Sequence, residues 1–208
     1  MDILKLIAIL FMGYIVGNFS PAYFLGWLVG KFDIRERGSG NAGATNVMRL
    51  IGWQYGALVF ILDLLKGFVP SSLGFWLAGY PGLAAAAMGV ILGHDFPALL
   101  NFRGGKGISS TVGIFLSLFP LPTLGAILIF VVVVLLTRIV SLGSLVFVHA
   151  MVIYTLISNQ PKVLVILAVM VSILAITQHG ENIQRILRGV ENKISFGKKA
   201  KRDNRLRL

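Results

Sequence analysis

Uncharged apolar runs alternate with short polar segments along almost the whole chain. Pro81 to Leu92, Ile108 to Thr137 and Val163 to Gln178 contain no charged residue at all, and crossing a bilayer takes roughly 20 mostly apolar residues. The pattern predicts seven membrane helices, at about 4–29, 52–78, 82–99, 108–119, 122–137, 143–158 and 162–178. The first run, Asp2 to Val29, has no small-residue cleavage site and outruns a signal core, so it is expected to stay as a span. The stretch 108–136 is long enough for one kinked helix. Pro120-Leu121-Pro122 in its middle favours a break, because proline removes a donor and keeps its predecessor out of the helical region.

Composition supports this reading. The 208 residues are 56% apolar and only 13% charged, with a mean hydropathy of +0.85, too apolar for a soluble domain. Cysteine is absent, which excludes disulfides, thiolate metal sites and cysteine nucleophiles and leaves the redox compartment open. The net charge of +11 matters through its placement. With seven spans, one side receives Lys31 to Arg49, Asn101 to Gly107, Arg138 to Leu142 and everything after His179. That side holds every Lys and Arg except Lys5, Lys66 and Lys162, while "AGYPG", "FPLP" and "SNQP" on the other carry no charge. The positive-inside bias then puts the N-terminus outside and the C-terminus in the cytoplasm. Merging 108–136 into one span would send the basic C-terminal segment outside, against that bias. The fold expected is an all-α integral membrane protein, a single transmembrane domain over 1–194 followed by a basic cytoplasmic tail, 195–208. The basic residues from Lys193 onward suit anionic lipid headgroups.

Three cytoplasmic segments are richer than connectors need to be. The first, "RERGSGNAGATNVMR", Arg35 to Arg49, contains GxGxxG. Glycines tolerate positive φ, so successive amides can converge on an anion. A helix expected to start near Asn46 adds its positive end, with Arg49 one turn inside and able to reach back. A dinucleotide fingerprint would need a preceding strand and a βαβ unit. Membrane-grade helices flank this loop instead, and Asp63, at the distance of a ribose-binding acid, sits in an apolar span. The second segment, "GHDFPALLNFRGGKGISST", Gly93 to Thr111, is not a Walker A loop, since Leu100 and Gly107 stand where glycine and Ser or Thr are required. It still offers paired glycines, Lys106 as a mobile cation, Arg103 for bidentate contact, and Ser109, Ser110 and Thr111 as donors or caps. The third, "HGENIQRILRGVENKI", places His179 and Asn182 on one helical face with Arg185 a turn further on. Mid-span His149 reads as structural, and Ser141 and Ser144 of "TRIVSLGSL" as helix caps or ligand donors.

"GSGNAGATNVMR", "GHDFPALLNFRGGKG" and "HGENIQRILRGVENK", in this order between apolar spans, strongly resemble the three cytoplasmic motifs of the bacterial PlsY family, the acyl-phosphate:glycerol-3-phosphate acyltransferases. "LDLLKG" and "RIVSLGS" follow the family pattern too, and the likeness covers about residues 10–194. The resemblance implies transfer of an acyl group from acyl phosphate to the 1-hydroxyl of sn-glycerol 3-phosphate. The products would be lysophosphatidic acid and inorganic phosphate, formed at the inner face of the cytoplasmic membrane as the opening step of phospholipid synthesis. The His-x4-Asp pair of soluble-type glycerolipid acyltransferases is absent, because Leu99, Tyr154 and Gln184 stand five residues after the three histidines.

For an already activated acyl donor, orienting two phosphates and offsetting their repulsion is the main demand. Ser39, Gly40, Asn41, Thr45, Asn46 and Arg49 are assigned to one phosphate, and Arg103, Gly104, Gly105, Lys106 and Gly107 to the other, with the choice of substrate for each left open. His179 holds or deprotonates the glycerol hydroxyl, with Asn182 and Ser144 orienting it, unless a substrate phosphate takes the proton itself. Lys66 reads first as an ion pair with Asp63 and second, like Arg185, as a substrate contact. The partners expected are acyl phosphate, sn-glycerol 3-phosphate and membrane lipid, with no nucleic acid, metal or cofactor. The rival reading is a small membrane transporter for an organic phosphate. Against it, no inverted repeat is visible, and the rich polar segments gather on one side.

Overall fold

The computed structural model describes residues 2–194, so the expected basic tail 195–208 lies outside the described residues. The described chain is all helical and contains no strand. Four stretches are long and apolar enough to cross a membrane, Ile3–Gly30, Trp53–Leu100, Pro120–Thr137 and Val140–Ile157. A fifth is added if Lys162–Gln178 and Gly180–Leu187, bent by 63°, make one span.

The first span is not continuous. Helix α1 (Ile3–Asn18) stops at extended Phe19 and Ser20, and α2 (Pro21–Leu25) restarts and runs into one π turn, Gly26–Gly30. Pro21 explains the break, since the residue before a proline avoids the helical region. Ser20 then caps the new helix by accepting from the Tyr23 amide at 3.3 Å. The helix after the first glycine loop starts two residues before Asn46 and is short. Helix α3 (Ala44–Leu50) has seven residues, and Gly52, at φ 136°, separates it from α4.

Helix α4 (Trp53–Asp95) folds back on itself at Ala78 (φ −147°) and Gly79 (φ 62°). Asp63 and His94 lie 3.6 Å apart, whereas the same stretch of straight helix would separate them by about 46 Å. The reversal yields the two antiparallel limbs expected as 52–78 and 82–99. Small residues let the limbs and α1 close on one another. A β-carbon on Gly13 or Gly17 would strike the carbonyls of Ala86 or Val90, and one on Gly89 or Gly93 those of Leu10 or Tyr14. Both partners thus carry a GxxxG, the spacing that lets membrane helices meet backbone to backbone.

The run 108–137 breaks at Phe119, where Pro120 opens a new helix. Helix α5 (Ile108–Leu118) has 11 residues, about 16 Å against a hydrocarbon core of about 30 Å. It is buried along Ser110 to Phe115. Its Gly113 abuts the Leu64 carbonyl and Gly67 of α4 abuts that of Ser110, which brings α4 and α5 together closely. Helices α6 (Pro120–Thr137), α7 (Val140–Ile157) and α8 (Lys162–Gln178) complete the bundle, and α9 (Gly180–Leu187) turns off α8 at His179. Phe115, Phe147, Met151 and Ala168 form one interior cluster, and Leu83, Ile91, Ile114, Leu164 and Leu167 another. Trp76, Leu128, Leu136 and Ile157 are exposed outside, while Asp63, Lys66, Asp95 and His179 are buried. Apolar outside and polar inside is the arrangement a lipid solvent demands.

Candidate active site

The three polar segments meet at one end of the bundle around a cavity of about 170 Å³. Loop 38–46 contributes Ser39, Asn41, Thr45 and Asn46, and Arg49 of α3 adds a guanidinium. Lys106, Gly107 and Ser109 come from the second segment, Ser141 and Ser144 from α7, and His179, Asn182 and Glu191 from the third. Asp63 and His94, one from each limb of α4, also line it.

Asn46 organises the first loop. Its carboxamide oxygen accepts from the Ser39 amide at 2.9 Å, and its nitrogen donates to the carbonyls of Ile34, Arg37 and Asn41. Gly38 and Gly40 make this path possible at φ 65° and 71°. The amides of Ser39, Gly40 and Ala42 are spent inside the protein. That leaves the start of α3, from Gly43 to Thr45, facing the cavity.

The second loop corrects a sequence expectation. Gly104 and Gly105 do not offer their amides to an anion, because those amides donate to the carbonyls of Asp95 at 3.2 Å and His94 at 2.9 Å. They are glycines because a β-carbon would meet the end of α4, on Gly104 the His94 carbonyl and on Gly105 the His94 ring. With Gly40 and Arg103 they line a second, outer cavity of about 450 Å³, which shares Ser39, Asn41 and Lys106 with the first. On this segment the first cavity is met by Lys106 and by the first turn of α5, whose amides have no intrahelical carbonyl to meet. Gly107, at φ 69°, turns the chain into that helix. Thr111 bonds the Gly107 carbonyl at 2.8 Å instead of reaching the cavity.

At the third segment the side chains form one chain of hydrogen bonds. Lys106 donates to the Asn182 oxygen. The Asn182 nitrogen donates to Glu191 at 2.5 Å, Ser141 reaches the same Glu191 oxygen at 3.0 Å, and Arg185 holds the other at 2.7 Å. Burial works to raise the Glu191 pKa, but hydrogen bonds from Arg185, Asn182 and Ser141 outweigh it and keep the carboxyl below its ordinary value. Burial, with the Arg185 charge, pushes the Lys106 ammonium down. His179 faces the Ala175 carbonyl through Nδ1 at 2.7 Å. A carbonyl only accepts, so Nδ1 carries the hydrogen and Nε2 keeps a bare lone pair. Burial, and then the Lys106 charge, lower the His179 pKa to about 4, so the ring is neutral near pH 7 and able to accept a proton.

Two proposed contacts, Lys66 and Arg185, line neither cavity. Lys66 pairs with Asp63 at 2.9 Å and donates to the carbonyls of Gly17 and Phe19, so it holds the broken end of α1. Arg185 is committed to Glu191 and Glu181. His149 stands exposed, bonded to the Leu145 carbonyl. Sequence reasoning missed Glu191, His94 and the cavity-facing side of Asp63. The first lay inside a quoted motif, where its burial was the missing signal.

A family model described as glycerol-3-phosphate acyltransferase matches residues 7–189. The chain belongs to the glycerol-3-phosphate acyltransferase family. A glycerol-3-phosphate acyltransferase from Thermoanaerobacter pseudethanolicus is 42% identical over 183 residues, 88% of this chain and 92% of that relative. One from Clostridioides difficile is 38% identical over 200 residues, 93% of this chain and 98% of that relative. Two crystal structures of PlsY, described as an integral membrane glycerol 3-phosphate acyltransferase, superpose at 31% identity. The glycerol 3-phosphate form has a TM-score of 0.85, covering 91% of this chain and 96% of that one. The lysophosphatidic acid form has 0.84, covering 91% and 95%. The acyltransferase family and its integral membrane, all-helical fold therefore agree with the motifs and architecture found here.

Proposed function

We propose that this chain transfers an acyl group from acyl phosphate to the 1-hydroxyl of sn-glycerol 3-phosphate, giving lysophosphatidic acid and inorganic phosphate. The observation that carries the reading is the single cavity that collects Arg49, Lys106 and the α5 N-terminus around a neutral histidine. Two anionic substrates need cations and amides, and an alcohol nucleophile needs a proton acceptor. The glycerol oxygen attacks the acyl carbonyl carbon, the bond from that carbon to the phosphate oxygen breaks, and phosphate leaves. The hydroxyl proton passes to His179 Nε2, and from there to the departing phosphate, or goes directly to a substrate phosphate. Lys106 and Arg49 offset the charge, while Asn182 and Ser144 orient the hydroxyl.

The membrane arrangement belongs to the same proposal. The two limbs of α4 count as separate crossings, as do α1 with α2, α5, α6, α7 and α8, which gives seven with the N-terminus outside. The cavity then opens to the cytoplasm of a bacterial inner membrane, and its basic loops agree with the positive-inside bias. Purified protein given acyl phosphate and glycerol 3-phosphate is expected to release phosphate and lysophosphatidic acid in equal amounts. Uptake of glycerol 3-phosphate into proteoliposomes without acylation would overturn the reading in favour of transport. Lys106→Ala is expected to raise the KM of at least one substrate about tenfold, and unchanged values for both would remove the clamp.

A further inference from the structure

Asn101 and Phe102, immediately before the "RGGKG" loop, both adopt left-handed backbone conformations, at φ 54° and 59°. Two consecutive non-glycine residues of this kind store backbone strain and persist only where their surroundings enforce them. Part of the support is local, since the amides of Asn101 and Phe102 donate to the carbonyls of Ala98 at 3.3 Å and Pro97 at 2.9 Å, and part comes from the other glycine loop. Nη1 of Arg35 donates to the carbonyl of Leu100 at 2.7 Å and to that of Arg103 at 3.3 Å, the two residues bracketing the strained pair. Asp33 holds the rest of the guanidinium in a fork, accepting Nε at 3.0 Å and Nη2 at 2.7 Å. The ring of Tyr23 lies 4.9 Å beneath the guanidinium carbon. One backbone bond runs parallel to this link, Ala42 N to the Gly104 carbonyl at 3.4 Å. Arg35 lines only the outer cavity, so in the inner one it acts through others.

The geometry points to Arg35, oriented by Asp33 and Tyr23, as the positioning residue that sets the spacing between the two substrate loops. It fixes how far Lys106 and the start of α5 stand from Ser39 and Thr45, and hence the approach of acceptor hydroxyl to acyl carbonyl. Misplacement of reacting groups by about 1 Å costs on the order of a hundredfold in rate. Each loop keeps its own donors when the strap is cut, so the loss falls on turnover more than on affinity. Lysine cannot replace the strap, because it lacks the planar fork that serves a carboxylate and two carbonyls together.

This inference rests on the proposed acyl transfer, and the experiment separates the two. Arg35→Ala, Arg35→Lys and, as a control for lost charge, Arg37→Ala are assayed with acyl phosphate and glycerol 3-phosphate. Arg37 lies over the Phe32 ring and no side-chain bond joins it to the second loop. Expected are a kcat about 10–100-fold lower for Arg35→Ala and Arg35→Lys, KM values within about threefold, wild-type behaviour for Arg37→Ala, and partial recovery of Arg35→Ala by millimolar guanidinium. A kcat within twofold of wild type in Arg35→Ala overturns the strap. So does a loss that guanidinium leaves untouched and that tracks a lower unfolding temperature. If the wild-type protein itself makes no product, the acyl-transfer reading fails first.

Discussion

Asn182 has one carboxamide and two demands on it. Its oxygen faces Lys106 and its nitrogen faces Glu191, so the Glu191 carboxylate decides which way the amide points and thereby what Lys106 meets. Glu191→Gln weakens the Arg185 pairing and puts a second amide against Asn182. Unfolding stability is expected to drop by about 1–3 kcal/mol and turnover to fall with it, measured by thermal unfolding and product release. His179→Ala is expected to cut turnover while unfolding stays near wild type. The His179 pKa, lowered from 6.5 to about 4, carries a sign that can be checked. Between these values the unfolded state binds a proton that the native state refuses, so this histidine lowers stability as pH falls from 6.5 toward 4 and has no effect above 6.5. NMR of the labelled ring is expected to show no protonation at pH 6. That His179, Asn182 and Lys106 belong to polar segments able to share one site was legible from residue types and spacing, and the structure brings all three to one cavity. The role of Glu191 was not, because only the folded chain brings it against Ser141 and Asn182.

At the scale of helices, periodicity located the apolar runs but not their ends. Proline decided two breaks: Pro120 divides α5 from α6 as its neighbours suggested, and Pro21 divides α1 from α2 although the run looked continuous. Glycine decided the packing, and its meaning was the harder to read. The pair in "RGGKG" looks like an anion cradle in sequence, but both residues serve the close approach to His94 and Asp95. Hydropathy has no way to tell a glycine facing a ligand from one facing another backbone. Where backbones touch, an added methyl forces helices apart. Gly17→Ala or Gly93→Ala is expected to destabilise the fold by about 1–3 kcal/mol, seen as a lower unfolding temperature in detergent. Gly125→Ala, at a position with nothing nearby, is expected to leave that temperature unchanged.

For the molecule as a whole, the distribution of basic residues carries the topology. Because the chain has no cysteine, single cysteines report sidedness without interference. A cysteine at Asn159, between α7 and α8, is expected to react with an impermeant maleimide from outside intact cells, whereas one at Arg103 is expected to react only after lysis. The reverse pattern would invert the proposed orientation. The cavity also has an order of assembly. Its first wall lies between Ser39 and Arg49, its second between His94 and Ser109, and its last between His179 and Glu191. A ribosome feeding helices into the membrane builds the anion-binding loops first and supplies the proton acceptor late. A partly synthesised chain that ends before His179 lacks the proton acceptor, so a nascent protein sitting in the insertion machinery, surrounded by lipid precursors, stays chemically silent until its third polar segment has been added.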